Sequence, residues 1–328
     1  MRSLQSFGLL GLYVGSQLTA IALALPYIHA GLQTNASPNS LTNILPFLVA
    51  IVAIPLVILA IAKYAPNRVS MIRFFIRFAI ALSLIFTIGP TLDLLLPGPF
   101  VIQGGISLID LGFYAGAMVT ALVFLLLLLE PQWYIVDTVG YLAAGSLTAI
   151  LGISLGLLPV LVLMAVLMVY DAIAVYGTKH MVSLADVVSD MKLPILLVMP
   201  TEPNFDYTKS APMKEARAKV KAAPEEREAT FMGLGDVVIP GILVVSAFVN
   251  VAKGSPFLGG VPANLLVALA AMLGSLLGYA ILMYLVSRGN PQAGLPFLNG
   301  FGILGYALAY LALFHFTTPL LGITLPQL

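Results

Sequence analysis

The chain has 328 residues, of which 60% are hydrophobic and 9% charged, with a net charge of +1 and a mean hydropathy of +1.04. A soluble domain carries about 25% charged residues, so the composition excludes an ordinary soluble fold. The near-neutral balance offers nucleic acid no basic surface. Without cysteine there is no disulfide, thiol nucleophile or cysteine-based metal site.

A membrane-crossing helix needs about 20 mainly apolar residues. Stretches of that kind run near 7–30, 41–63, 74–97, 106–129, 133–153, 157–177, 231–252, 263–286 and 295–322. The first is too long for the core of a cleaved leader and is expected to be retained. The short alternating segments of an outer-membrane barrel are absent. The expected fold class is therefore all-α, a polytopic membrane helix bundle of about nine transmembrane helices in the lipid bilayer.

Lysine and arginine set the expected orientation. With the N-terminus inside, all of the 15 basic residues except Lys253 fall on the cytoplasmic side. That places the C-terminus outside. Three parts follow: a six-helix section over 1–178, a cytoplasmic loop over 179–230, and a three-helix section over 231–328. Within the loop, Leu193 to Pro200 is an apolar run bracketed by Pro194 and Pro200, which reads as a strand. The later stretch, Thr208 to Thr230, mixes charge with Ala and Pro and reads as a solvated segment. Small residues at four-residue spacing, Gly11 with Gly15 and Gly274 with Gly278, would let helices approach closely.

Two aspartates stand inside apolar spans, Asp171 in the sixth and Asp236 in the seventh. Ionisable groups at membrane depth are functional-site candidates. Asp171 lies about 9–10 Å from the cytoplasmic end of its helix, and Asp236 about 8 Å from the start of its own. The helices run in opposite directions, so both carboxylates fall in one layer. Two neighbouring carboxylates share a proton. The ionised one activates water against a peptide carbonyl, and the protonated one hydrogen-bonds to that oxygen. Gly233 and Gly235 beside Asp236 tolerate non-helical torsions and a close second backbone. The run from Pro194 to Pro200 offers an edge for an unwound peptide.

Asp93, Asp110 and Asp137 read as capping or snorkelling residues near span ends, with Trp133 and Tyr134 as interfacial anchors. Arg77 reads as a snorkelling residue at the inner face. The histidines His29, His180 and His315 are scattered and form no zinc pattern. A Gly-x-Ser-x-Gly elbow and a phosphate-binding loop are also missing. Among hydrolytic chemistries, only the aspartate pair is equipped.

These residues resemble the GxGD intramembrane aspartyl proteases, which include presenilin and signal peptide peptidase. The likeness rests on Tyr170-Asp171 followed by Val175-Tyr176-Gly177-Thr178, and on Gly233-Leu234-Gly235-Asp236-Val237-Val238-Ile239-Pro240-Gly241. It extends to the run from Pro194 to Pro200. The family's Pro-Ala-Leu signature is altered: Ala293 stands at the proline position and Gly294 at the alanine, followed by Leu295 and Pro296. The resemblance implies a presenilin-like nine-helix fold and cofactor-free hydrolysis of transmembrane helical peptide substrates. It makes Asp171 and Asp236 catalytic, and Tyr170, Gly233, Leu234, Gly235, Gly294, Leu295 and Pro296 substrate-binding. The motif spelling is that of signal peptide peptidase, whereas the charges give the presenilin orientation. A microbial plasma membrane is the expected location, with the oligomeric state open. The rival readings are a proton- or cation-coupled transporter built on the same acids and a non-catalytic membrane scaffold.

Overall fold

The computed structural model describes residues 2–35, 37–64, 66–95, 111–178, 180–193, 195–202, 205–210, 215, 228–253, 260–286 and 292–314. These form α1 (Arg2–His29), α2 (Leu45–Tyr64), α3 (Val69–Leu95), α4 (Leu111–Leu129), α5 (Trp133–Ser154), α6 (Leu157–Ala172), α7 (His180–Asp190), β1 (Leu196–Pro200), β2 (Ala229–Gly233), α8 (Leu234–Asn250), α9 (Ala263–Val286) and α10 (Leu295–Phe314). Every helix except α7 coincides with an expected span. Asp110 and His315 lie outside the described residues, as does most of the stretch from Thr208 to Thr230.

The central post is α8. Its residues from Val237 to Ala247 are buried all round, as befits an apolar helix enclosed by others. Around it pack α1, α5, α6, α9 and α10. The outer helices instead leave large apolar side chains exposed, among them Val49, Leu56, Leu122, Leu129 and Leu308. On a bundle this hydrophobic, such a surface faces lipid.

Hydrogen bonds sort the connections to two ends. At one end, α5 stops at Ser154 and α6 begins at Leu157, leaving a two-residue turn with unpaired helix-end groups. The loop after α1 supplies the partners. Gln33 and Asn35 donate to the Ile153 and Ser154 carbonyls, and the Gly156 N–H donates to Pro38. From inside the bundle, the Ser246 hydroxyl donates to the Leu155 carbonyl at 2.9 Å.

At the other end, Arg77 does more than snorkel. Its guanidinium donates to the Met191 and Lys192 carbonyls, at 3.3 and 3.2 Å, just past the end of α7. Lys192 adopts φ of 51° and sets its ammonium 4.4 Å over the Tyr207 ring. Burial pushes the Lys192 pKa down and the Tyr207 pKa up. Nearby, Asp206 takes hydrogen bonds from Thr208 and Gln132, which hold its carboxyl below the usual range.

The run after Pro194 is strand β1, paired antiparallel with β2. The structure corrects one boundary: the seventh span does not begin at Phe231. Residues 229–233 are extended, and α8 starts at Leu234. Asp236 therefore sits in the first helical turn, shallower than the sequence reading placed it.

The two glycine pairs differ. A Cβ on Gly278 or Gly274 would strike the Phe297 or Phe301 carbonyl of α10, backbone that cannot swing aside, whereas a Cβ on Gly11 would meet nothing within 4 Å. Gly278→Ala is expected to cost about 1–3 kcal/mol through overpacking and to lower the thermal midpoint in detergent. Gly11→Ala should leave that midpoint unchanged or slightly raised.

Candidate active site

Asp171 and Asp236 come together at the start of α10. On the α6 side, Asp171 is buried, and its Oδ2 accepts the Leu295 N–H at 3.0 Å, with the Gly294 amide also directed at it. The first amides of a helix lack intrahelical acceptors and carry the positive end of its dipole. α10 thus presents its N-terminus to a carboxylate. On the α8 side, Asp236 reaches the same residue pair: a Cβ built on Gly294 would lie 3.0 Å from its carboxylate atoms. Glycine is what allows α10 to begin against Asp236.

Local backbone breaks make this convergence possible. Two residues past Asp171, α6 widens into a π-turn over Ile173–Gly177, where the Thr178 N–H donates to the Ile173 carbonyl at 2.9 Å. Such insertions concentrate at functional sites. Gly233 caps α8 in an extended conformation. Four residues after Asp236, Pro240 has no N–H to offer the Asp236 carbonyl, so the first turn of α8 is loosened. From the bundle interior, the buried Asn299 of α10 donates to the Met164 carbonyl of α6 at 3.2 Å, fixing the two helices against each other.

Both carboxylates line a cavity of about 500 Å³. Its walls include Ile51 of α2, Leu167 and Tyr170 of α6, Met181 and Val188 of α7, Phe231, Ile239, and Leu295. A mainly apolar chamber with a few convergent polar groups suits an apolar ligand that must be oriented. Of the residues expected to contact substrate, Tyr170, Gly233, Leu234, Gly235, Gly294 and Leu295 line this cavity, and Pro296 does not. It occupies the first turn of α10, where a missing N–H costs nothing. The Tyr170 hydroxyl lies 3.0 Å from His180 Nε2, whose Nδ1 lies 2.6 Å from the Thr178 hydroxyl. His180 thereby anchors the tyrosine beside Asp171.

One connection was not read from the sequence. The Tyr176 hydroxyl, at the end of the π-turn, donates to Gln292 Oε1 at 2.8 Å and accepts the Ala293 N–H at 3.2 Å. That contact gives the altered signature a physical account. A proline at position 293 would have no N–H for Tyr176, whereas alanine ties the approach to α10 to the end of α6. The available signal was the departure at Ala293 itself, together with a polar Gln292 just ahead of an apolar helix.

A protein-family model described as "Signal-peptide peptidase, presenilin aspartyl protease" matches residues 10–314. The chain belongs to that family. Two solved structures of a presenilin family intramembrane aspartate protease, in C222 and P2 space groups, are similar to it. The first is 32% identical at a TM-score of 0.63, covering 94% of this chain and 99% of that one. The second is 33% identical at 0.59, covering 92% and 95%. A search of curated proteins returns no match. The protein is an integral, multi-pass membrane protease of the aspartic type.

Three substitutions probe the geometry. Gly294→Val should displace the Asp236 carboxylate and lower kcat by about 10²-fold, the usual effect of a misplacement near 1 Å, with little change in folding. Tyr176→Phe and Ala293→Pro should each cost about 0.5–1 kcal/mol of activity, because their shared hydrogen bond is partly exposed. The double variant should be no worse than Tyr176→Phe alone, which already loses the bond to Gln292 as well, and a double-mutant cycle measures that coupling.

Proposed function

We propose that Asp171 and Asp236 form the catalytic pair and hydrolyse peptide bonds within single-span transmembrane substrates or remnant signal peptides. What carries the reading is the convergence of both carboxylates on Gly294 and Leu295, inside one cavity. One ionised and one protonated carboxyl in that position supply both a base for water and a donor for the carbonyl oxygen. The glycine at 294 and the apolar walls leave room for a second backbone.

A helical substrate hides its own amides, so part of it must be extended before attack. The sheet supplies the means, though by a different strand from the one expected. The Leu234, Thr201 and Val198 N–H groups bond to the Ile195 carbonyl, the Glu228 carbonyl and Asp137 Oδ1 respectively. With the Leu196↔Gly233 register, these bonds set which peptide groups face inward. Residues 195, 197, 199 and 201 face β2, so 196, 198 and 200 face away from it. On β2, Ala229, Phe231 and Gly233 likewise aim their peptide groups outward. Ile195, Leu196, Phe231 and Gly233 all line the cavity, but on β1 the Val198 N–H is taken by Asp137 and Pro200 has none, so β2 offers an incoming strand the more open edge.

The charge asymmetry supports a cytoplasmic N-terminus and an outside C-terminus, and the location proposed is a microbial plasma membrane. In that orientation the preferred substrates have their N-terminus outside. Asp171→Asn and Asp236→Asn should each abolish cleavage of a reporter helix in detergent while the thermal midpoint is kept. Cleavage surviving in either folded variant contradicts the assignment. A wild-type enzyme that cleaves only inverted reporters contradicts the orientation.

A further inference from the structure

Asp137 lies in the first turns of α5, away from the aspartate pair, and is 5% exposed. Its Oδ1 accepts the Val198 N–H at 2.7 Å. Its Oδ2 is buried with no hydrogen-bond partner among the described residues. A carboxylate held this way is a poor device for stability alone, because burying an unpaired oxygen works against folding. The capping or snorkelling role expected from the sequence does not describe it either: Asp137 bonds to the backbone of a strand rather than to the end of its own helix.

The strand register gives this bond a consequence. Of the β1 residues that face away from β2, Pro200 has no N–H and Val198 gives its N–H to Asp137. The far edge of β1 is thus closed at its centre by a side chain and at its end by a proline, two of the means by which sheets block edge pairing. The Met199 side chain packs onto Gly8 of α1, which pins the same strand from its other neighbour. β1 is a fixed rail, and β2 hangs from it by the bonds named above. Gly233, the last residue of β2, is also the cap of α8 and stands three residues before Asp236.

We propose that Asp137 is a positioning residue for peptide hydrolysis. By holding the Val198 N–H it fixes the height and register of the sheet, leaving an extended substrate one edge to pair with. The bond presented to the two acids is thereby set. The proposal rests on the protease reading of the previous subsection and assigns a determinant of cleavage position outside the cavity. Asp137 acts through β1 and β2 and touches neither the reacting peptide nor the acids.

The test compares Asp137→Leu with Asp137→Asn in full-length protein, using a reporter helix whose products are mapped by mass spectrometry. Leucine fills the space, removes the acceptor and removes the unpaired oxygen. It should fold with a midpoint at or above wild type, raise KM by about 5- to 10-fold, the effect of losing roughly one hydrogen bond, and spread cleavage over neighbouring bonds. Asparagine keeps an Oδ1 acceptor and should retain the wild-type cleavage pattern. Hydrogen exchange at the Val198 amide, measured on the same samples, should accelerate in the leucine variant only.

A leucine variant with wild-type KM and an unchanged cleavage pattern overturns the proposal. So does an asparagine variant that scatters cleavage as leucine does, since charge rather than the acceptor would then be the operative property. If leucine fails to fold, asparagine still decides: scattered cleavage or a fast-exchanging Val198 amide in that variant overturns the role. Failure of the protease reading looks different, because the wild-type enzyme would then not cleave the reporter at all.

Discussion

The structure turns on the start of α10, where two amides and a glycine without a side chain receive carboxylates from two other helices. Asp171 comes from the C-terminal end of α6 and Asp236 from the first turn of α8. Neither helix alone places an acid usefully. Leu295 N–H fixes one carboxylate by a hydrogen bond, and the bare Cα of Gly294 lets the other approach. The buried bond from Asn299 to the Met164 carbonyl keeps α6 and α10 in the relation this requires.

Irregular backbone at membrane depth is tolerated only where protein or a water-filled cavity encloses it. Here the irregular pieces gather around one cavity: the π-turn after Asp171, the extended Gly233, the loosened turn at Pro240 and the start of α10. The same breaks that bring the acids together also create the chamber and the strand edge beside them. Acids, chamber and strand edge are one construction. The rest of the bundle, with α8 enclosed at its centre and α9 pressed against α10 through Gly274 and Gly278, holds that construction still.

Much of this was legible in the sequence because hydropathy and charge act locally. Each expected span contains a helix among the described residues, with the seventh starting at Leu234 rather than Phe231, and the apolar stretch ending at Pro200 became a strand. The two acids and their glycines stood out because charge is rare in such segments. What escaped depends on contacts distant in sequence. β2 was read as the beginning of a helix, since Phe231 and Met232 continue the apolar pattern and only pairing with β1 makes them extended. Asp137 looked like an interfacial acid because its partner, Val198, lies on a strand far along the chain. Gln292 and Tyr176 likewise gain meaning only once the π-turn and the approach to α10 are side by side. Pro296 was assigned to substrate contact by motif likeness, yet its backbone chemistry suits a helix start.

The juxtaposition of positions 171 and 236 is tested most directly by crosslinking, since the chain contains no cysteine of its own. In the double variant Asp171→Cys, Asp236→Cys, a short bifunctional thiol reagent applied to native membranes should join the two positions in high yield. Proteolysis between α6 and α8 would then release no separate fragments, and a water-soluble alkylating agent should label each single variant. Efficient labelling of both single variants without any crosslink in the double one would show two accessible positions that do not meet, and would contradict the account.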